Sequence, residues 1–286
     1  MSAAGQADTI IQVRNLRNQF GSQVIHDRLD LDVRRGEVIG IVGGSGTGKS
    51  VLLRTIVGLK RPDAGSVRVF GQDVTALEGT ARQAVEQRWG VAFQDGALFS
   101  ALTVAQNVQV PMREHLDLPK PLMDELAAEK IAMVGLPPSA GPKYPSELSG
   151  GMRKRAALAR ALALDPEIVF LDEPTAGLDP IGAADYDGLI RQLKDALGLT
   201  VFMVTHDLDS LYAICDRVAV LADKRVIAVD TVPNLMKLDH PWIQEYFKGP
   251  RGRAAIATQE ANARDHPTEV KTNQLAASPA AATEPA

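Results

Sequence analysis

The fold of this chain is decided by the stretch Gly43-Gly44-Ser45-Gly46-Thr47-Gly48-Lys49-Ser50, which matches the pattern G-x-x-x-x-G-K-S/T. An apolar run at 38–42 precedes it and an apolar segment at 50–59 follows it, so the sequence predicts a strand, a loop and a helix. Glycines allow backbone N–H groups to turn inward on a phosphate, and the helix adds the positive end of its dipole. We therefore predict a nucleotide-binding loop in which Lys49 reaches the β- and γ-phosphates and Ser50 ligates Mg²⁺.

A second motif is an apolar run at 168–171 that ends in the acids Asp172 and Glu173. A buried strand would carry Asp172 rigidly to the Mg²⁺ ion, which prefers carboxylate oxygens and waters as ligands. Glu173 would then face the attacking water and polarise it as a general base. Taken alone, the two acids could equally cap the following helix. The phosphate loop upstream favours the metal site.

A third motif, Leu148-Ser149-Gly150-Gly151-Met152, opens another predicted helix. A serine and two glycines at a helix N-terminus offer a hydroxyl, N–H groups and the helix dipole to an anion. As a lone pattern this is usually a helix cap. One chain does not need two γ-phosphate sites for one nucleotide, so we expect Ser149, Gly150 and Gly151 to serve the nucleotide bound by a second copy.

Three single residues complete the candidate site. Gln94 ends the strand-like run 89–93 and is predicted to touch Mg²⁺ or the attacking water. His206 follows the apolar run 201–205 and is predicted to act as a donor near the γ-phosphate. Asp179 is predicted to cross a dimer interface. Glutamine, histidine and aspartate are more often surface or turn residues than catalytic ones. Gln94 and His206, however, follow predicted strands, at the edge where open α/β sheets bind ligands.

Strands and helices alternate on both sides of a helical middle section. We predict strands at 10–16, 29–33, 38–42, 66–70, 168–171, 201–205 and 218–221, and helices at 50–59, 121–134, 152–164, 181–197 and 208–215. Short apolar runs that alternate with helices favour buried parallel strands. The sequence therefore predicts one nucleotide-binding α/β core that is interrupted by a helical insertion at about residues 100–164.

The composition changes near the end of the chain. Residues 254–286 are rich in Ala, Thr, Pro, Asn and Glu and have no periodic apolar face, which predicts a disordered tail. A second interpretation concerns Trp242, Tyr246 and Phe247, just ahead of this tail: they would mark an ordered clamp that docks on the core or on a partner.

Composition narrows the class of protein. Of the 286 residues, 45% are hydrophobic and 23% are charged, as in ordinary globular proteins. The net charge of -4 makes a nucleic acid an unlikely partner. The single cysteine, Cys215, fits a reducing compartment, and the first eight residues lack the features of a secretory signal. No apolar run approaches the roughly 18 residues that span a bilayer, so at a membrane another chain would do the crossing.

Taken together and in this order, the motifs resemble those of the ABC ATPase family. In the family's terms, residues 43–50 resemble the Walker A loop, 168–173 the Walker B strand with its catalytic glutamate, Gln94 the Q-loop, 148–152 the signature, 176–179 the D-loop and His206 the switch histidine. Phe20 sits where the family stacks an aromatic ring on adenine. The resemblance covers about residues 10–248 and leaves 249–286 as a tail.

The resemblance implies a fold and a mechanism. The fold would be an α/β P-loop NTPase with a mixed β subdomain, a RecA-like parallel-sheet core and a helical insertion. The cofactors would be ATP and Mg²⁺. Two copies would close head to tail, with each ATP between the phosphate loop of one chain and Ser149–Gly151 of the other.

Three further stretches are similar to ATPases of the Mla type, namely residues 93–99, 111–115 and 145–152. Met152 stands where the wider family usually has glutamine, and methionine is typical of this group. The similarity implies phospholipid transport in a Gram-negative envelope, with an integral membrane permease and an MCE-type substrate-binding protein as partners. The chain would lie peripherally at the cytoplasmic face of the inner membrane, and a small regulatory subunit stays open as a further partner.

Other interpretations remain open at this point. One is the ATPase of an ABC importer for a polar solute such as an amino acid. A second is a soluble ABC ATPase of DNA repair or translation, although the paired ATPase units or long coiled-coil insertions of those proteins are not apparent. A third is a regulatory protein that binds nucleotide without hydrolysing it, which the presence of Glu173 and His206 disfavours.

Overall fold

The computed structural model describes residues 8–249. The predicted tail, residues 249–286, therefore lies outside the described residues except for Gly249. The strands are β1 (Thr9–Phe20), β2 (Gln23–Arg34), β3 (Val38–Gly43), β4 (Ala64–Val69), β5 (Gln72–Asp73), β6 (Trp89–Ala92), β7 (Ile168–Asp172), β8 (Thr200–Val204), β9 (Arg217–Ala222) and β10 (Arg225–Asp230). The helices are α1 (Lys49–Ile56), α2 (Gly79–Glu86), α3 (Val104–His115), α4 (Lys120–Met133), α5 (Gly150–Ala161), α6 (Pro180–Leu197), α7 (Leu208–Ile214), α8 (Val232–Leu235) and α9 (Pro241–Lys248).

The first sheet is antiparallel and has the strand order β2-β1-β4-β5. Its strands alternate buried and exposed residues, as expected when one face of a sheet packs on the core. Strand β1 continues to Phe20, beyond the predicted end at Leu16. Register shifts on both sides of Leu16 interrupt the alternation, and Asn18 is fully buried, so the polar residues there did not predict a strand.

The second sheet has the order β10-β9-β3-β8-β7-β6, and the strands from β9 to β6 are parallel. Strands β3, β7 and β8 are buried at every position, which explains their continuous apolar sequences. The phosphate loop follows β3, Glu173 follows β7 and His206 lies two residues beyond β8. Because the carboxyl ends of parallel strands share one edge, the sheet brings these groups together.

Helices α3, α4 and α5 lie between β6 and β7, where the sequence predicts an insertion. Helix α3 lies in the section predicted to be helical but was not assigned bounds of its own; it contains Pro111, and Thr103 and Gln106 form a capping box at its start. Helix α5 begins at Gly150 and ends at Ala161, three residues before the predicted end, because Asp165 adopts a left-handed φ of 50° just ahead of Pro166.

The last elements, β10, α8 and α9, were also not predicted. Helix α9 carries Trp242, Tyr246 and Phe247 and packs on the core through Ile243 and Phe247, which are fully buried. This agrees with the interpretation of these aromatic residues as an ordered, docked segment. Among residues 8–249, no helix combines the length and the hydropathy that crossing a bilayer requires.

Candidate active site

The phosphate loop folds tightly against the N-terminus of α1. Gly46 and Gly48 adopt left-handed φ values of 76° and 96°. A Cβ on Gly48 would lie 2.5 Å from Nε2 of His26 and would also collide with Ile25, so only glycine fits there. Among residues 8–249, no side chain caps α1 and its first turn holds no acid, which leaves its terminal N–H groups for an anion.

Lys49 lies across this loop. Its Nζ donates to the carbonyl oxygens of Gly43 at 2.9 Å and Gly44 at 3.2 Å. Burial lowers the pKa of Lys49, and the carboxylates of Glu173 and Asp172 oppose that shift. The ammonium group is therefore held among carbonyl oxygens that a phosphate can replace.

Ser50 and Asp172 meet as the magnesium prediction requires. The Ser50 hydroxyl donates to Oδ1 of Asp172 at 2.9 Å, and Asp172 is buried. Two adjacent oxygen donors fit Mg²⁺, which takes few protein ligands and completes its shell with waters and phosphate oxygens. Within residues 8–249, no group of three or more His, Cys, Asp and Glu side chains forms a metal site on its own.

Glu173 and His206 form a direct pair. Nδ1 of His206 lies 2.7 Å from Oε2 of Glu173. Glu173 adopts a left-handed φ of 51°, and its N–H donates to the carbonyl oxygen of Val204 at 2.8 Å. This turn takes the chain out of the sheet just past the end of β7, where the carboxylate meets the imidazole of the neighbouring strand's loop.

Gln94 is exposed just past β6, and its carbonyl oxygen accepts a 3.0 Å hydrogen bond from Nζ of Lys154. Among the hydrogen bonds of the described residues, none joins its side chain to Ser50 or Asp172. The structure thus brings Gln94 to the same edge of the sheet, without a hydrogen bond to the predicted metal ligands among the described residues.

Lys154 was not among the predicted site residues. Its Nζ also donates to the carbonyl oxygen of Glu173 at 3.2 Å, so one side chain of α5 ties the ends of β6 and β7 together. Burial lowers the pKa of Lys154, while Asp95 and Glu173 oppose the shift. The basic run 153–155 after the signature was a signal, but nothing local indicates that Lys154 points inward.

Residues 149–151, the Ser149 tip, form the N-terminus of α5. Ser149 caps α5 by accepting a 3.2 Å hydrogen bond from the N–H of Met152. Ser149 and Gly150 are exposed, and no described hydrogen bond joins this tip to residues 43–50. Asp179 likewise caps α6, with Oδ1 accepting from the N–H of Gly182 at 2.9 Å. Their predicted roles toward a second copy stay predictions.

Phe20 ends β1 and is 55% exposed, as a residue that offers a stacking surface must be. Nζ of Lys60 lies 5.1 Å from the ring centroid, so a cation already covers part of the ring. Stacking on adenine stays a prediction.

Comparison with known proteins identifies the family. The model of the ABC transporter family matches residues 26–176. This chain belongs to that family. The ABC ATPase is 41% identical, over 240 residues, to the intermembrane phospholipid transport system ATP-binding protein MlaF of Haemophilus influenzae, covering 84% of this chain and 90% of that protein. It is 39% identical over 243 residues to the probable ribonucleotide transport ATP-binding protein mkl of Mycobacterium leprae, covering 84% of this chain and 69% of that protein.

The fold of the ABC ATPase also matches solved structures. One is the dimeric, post-hydrolysis state of the ATP-binding cassette MJ0796 bound to ADP and phosphate, with a TM-score of 0.71 and 28% identity, covering 77% of this chain and 98% of that one. The predicted P-loop ABC ATPase fold is thereby confirmed. The chain is an ATPase whose hydrolysis is coupled to transport.

Proposed function

We propose that this ABC ATPase powers the movement of phospholipid between the membranes of a bacterial envelope, through a separate permease. The similarity to MlaF supports phospholipid as cargo. ATP hydrolysis is supported by one observation: the phosphate loop, the acids Asp172 and Glu173 and the His206 loop meet at one edge of the parallel sheet.

The nucleotide would be held by residues 43–50 as a phosphate cradle, with Lys49 on the β- and γ-phosphates and the exposed ring of Phe20 on adenine. Ser50 and Asp172 would hold Mg²⁺, with the Gln94 amide joining when the dimer closes. When bound, Mg²⁺ would neutralise part of the negative charge on the phosphates.

Glu173 would polarise the attacking water as general base. In this role the carboxylate must accept a proton, and His206 at 2.7 Å orients it. With Nδ1 directed at Glu173, Nε2 of His206 is the nitrogen that remains for the γ-phosphate.

A second copy would complete each site. The exposed Ser149 and Gly150, together with the half-buried Gly151, would present a hydroxyl and a helix N-terminus to the γ-phosphate held by the partner's phosphate loop, with Asp179 at the same interface. Hydrolysis removes the γ-phosphate contacts, so the dimer reopens. Lys154 would pass this motion from α5 to Gln94 and Glu173.

The complex would place two copies at the cytoplasmic face of the inner membrane, peripherally, with a permease and an MCE-type substrate-binding protein, and with a small regulatory subunit as a further candidate. The domain would span residues 10–248. No nucleic acid takes part.

Purification of the native complex from membranes tests this proposal, with mass spectrometry of both proteins and bound lipid. We expect a permease and stoichiometric glycerophospholipid, together with phosphate release that Glu173→Gln removes. A permease with a polar solute-binding protein and no lipid would favour the importer alternative. Absence of any membrane partner would contradict transport.

A further inference from the structure

Helix α9 reaches the candidate site from outside the family motifs. The Tyr246 hydroxyl donates to the carbonyl oxygen of His206 at 3.2 Å. The Trp242 ring stacks on Tyr246, with 4.6 Å between centroids and an interplanar angle of 15°. Nε1 of Trp242 lies 3.6 Å from the position that a Cβ on Gly44 would occupy, so the ring pair runs from the His206 loop to the phosphate loop.

The ring pair is fixed to the core. Ile243 and Phe247, on the same helix, are 1% and 0% exposed and pack in a cluster that includes Val42 of β3. The Phe247 ring meets Tyr246 edge-on at 5.0 Å. Side chains on a helix that is anchored in this way hold their geometry better than side chains on a free loop.

The residues beside His206 are held by their own hydrogen bonds: the N–H of Thr205 donates to the carbonyl oxygen of Ile41 at 3.3 Å, and Oδ2 of Asp207 accepts from Oγ1 of Thr175 at 3.3 Å. Among the hydrogen bonds of the described residues, the one to the carbonyl oxygen of His206 itself comes from Tyr246, and the His206 side chain is 65% exposed. Burial raises the pKa of Tyr246, and the charge of Glu173 adds to the shift, so the hydroxyl stays protonated as a donor.

We propose that Tyr246 is a positioning residue for hydrolysis, whose hydroxyl holds the His206 backbone so that the imidazole reaches Glu173. Trp242 extends this brace to the phosphate loop. The inference rests on the proposed hydrolytic role of Glu173 and His206. It also gives the end of the described chain, which otherwise lies outside the family motifs, a function in catalysis.

Tyr246→Phe tests the inference because it keeps the ring stack and removes only the hydroxyl. We expect kcat for ATP hydrolysis to fall about fivefold, the effect of losing one hydrogen bond, with KM for ATP unchanged. The matched control is Tyr212→Phe, whose hydroxyl faces Sδ of Met236 at 3.4 Å in the same apolar cluster and should leave kcat unchanged. An unchanged kcat for Tyr246→Phe, or an equal loss in both variants, overturns the inference.

A double-mutant cycle separates positioning from general loss of structure. If Tyr246 acts through His206, then adding Tyr246→Phe to His206→Asn should lower the single-turnover rate no further. A full multiplicative loss would overturn the inference. Wild-type hydrolysis is measured in the same series: its absence would count against the proposed function itself, whereas normal wild-type hydrolysis with a silent Tyr246→Phe would count against this inference alone.

Discussion

Nδ1 of His206 and Oε2 of Glu173 lie 2.7 Å apart, although 33 residues separate them in the chain. They meet because β7 and β8 are parallel neighbours whose register places Asp172 opposite Val204. The residues that follow these two strands must therefore emerge side by side at the edge of the sheet. Both residues of the pair belong to one chain, so no residue of a second copy is needed to form it.

Glu173→Gln is expected to abolish ATP turnover and to preserve ATP-dependent dimers. The amide keeps the size of the side chain but cannot accept the proton from water. Phosphate release measures turnover, and sedimentation with and without ATP measures the dimer. Turnover near the wild-type rate would rule out Glu173 as the base.

Lys49→Ala is expected to weaken ATP binding by roughly 10- to 100-fold, because a charge-assisted contact to phosphate is lost. Titration calorimetry with ATP measures the affinity. The control is Lys120→Ala, which removes a cation that pairs with Asp124 on α4 and none from the proposed nucleotide site. Unchanged ATP affinity in Lys49→Ala would count against the phosphate-loop assignment.

Gly48→Ala is expected to lower the free energy of unfolding by about 3 kcal/mol, since the new Cβ meets both an unfavourable φ and the side chains of Ile25 and His26. Gly46→Ala is the matched control. It also has a positive φ but has open space around it, so we expect a loss of about 1 kcal/mol. Urea unfolding measures both, and equal losses would contradict the packing described here.

His26 is expected to make the protein less stable as the pH falls. Burial lowers the pKa of His26 from 6.5 to about 4. The unfolded chain therefore binds a proton between these values that the folded chain does not. Stability is fully present above pH 6.5 and falls as the pH drops toward 4, by about 3 kcal/mol in total.

The comparison that isolates this effect is with His26→Asn. The difference in unfolding free energy between the two proteins should shrink as the pH falls from 7 to 4. Asp187 changes stability in the opposite direction: burial raises its pKa to about 6, so the folded state gains stability as the pH falls. This effect is the same in both proteins and cancels in the difference. A difference that stays constant with pH would contradict the buried neutral state of His26.

Much of the site was predictable because its signals are local. The phosphate loop, the acids at the end of β7 and the helix cap at Ser149 each lie within one short stretch of sequence. The residue types in each stretch indicate its function without reference to the rest of the chain. Helix α1 nevertheless ends at Ile56, short of the predicted 59, because Gly58 turns left-handed with a φ of 78°. The end of a helix can thus depend on the backbone angle of a single residue, which the apolar pattern of the sequence does not indicate.

What the sequence could not predict depends on contacts between distant residues. Lys154 bonds to a carbonyl oxygen 60 residues away, and Tyr246 to one 40 residues away. The buried Asn18 donates to Nδ1 of His26 at 3.0 Å and to Oγ1 of Thr55 at 2.9 Å, so three polar residues on three elements form one network below the phosphate loop. No local pattern distinguishes these side chains from solvated ones.

A structure of the Glu173→Gln protein with Mg²⁺ and ATP would show directly whether the nucleotide lies between two copies of the chain. We expect a dimer in which Oγ of Ser149 lies about 3 Å from the γ-phosphate of the ATP that Lys49 of the other copy binds. Ser149 remote from every phosphate, in every assembly of the chain, would contradict it.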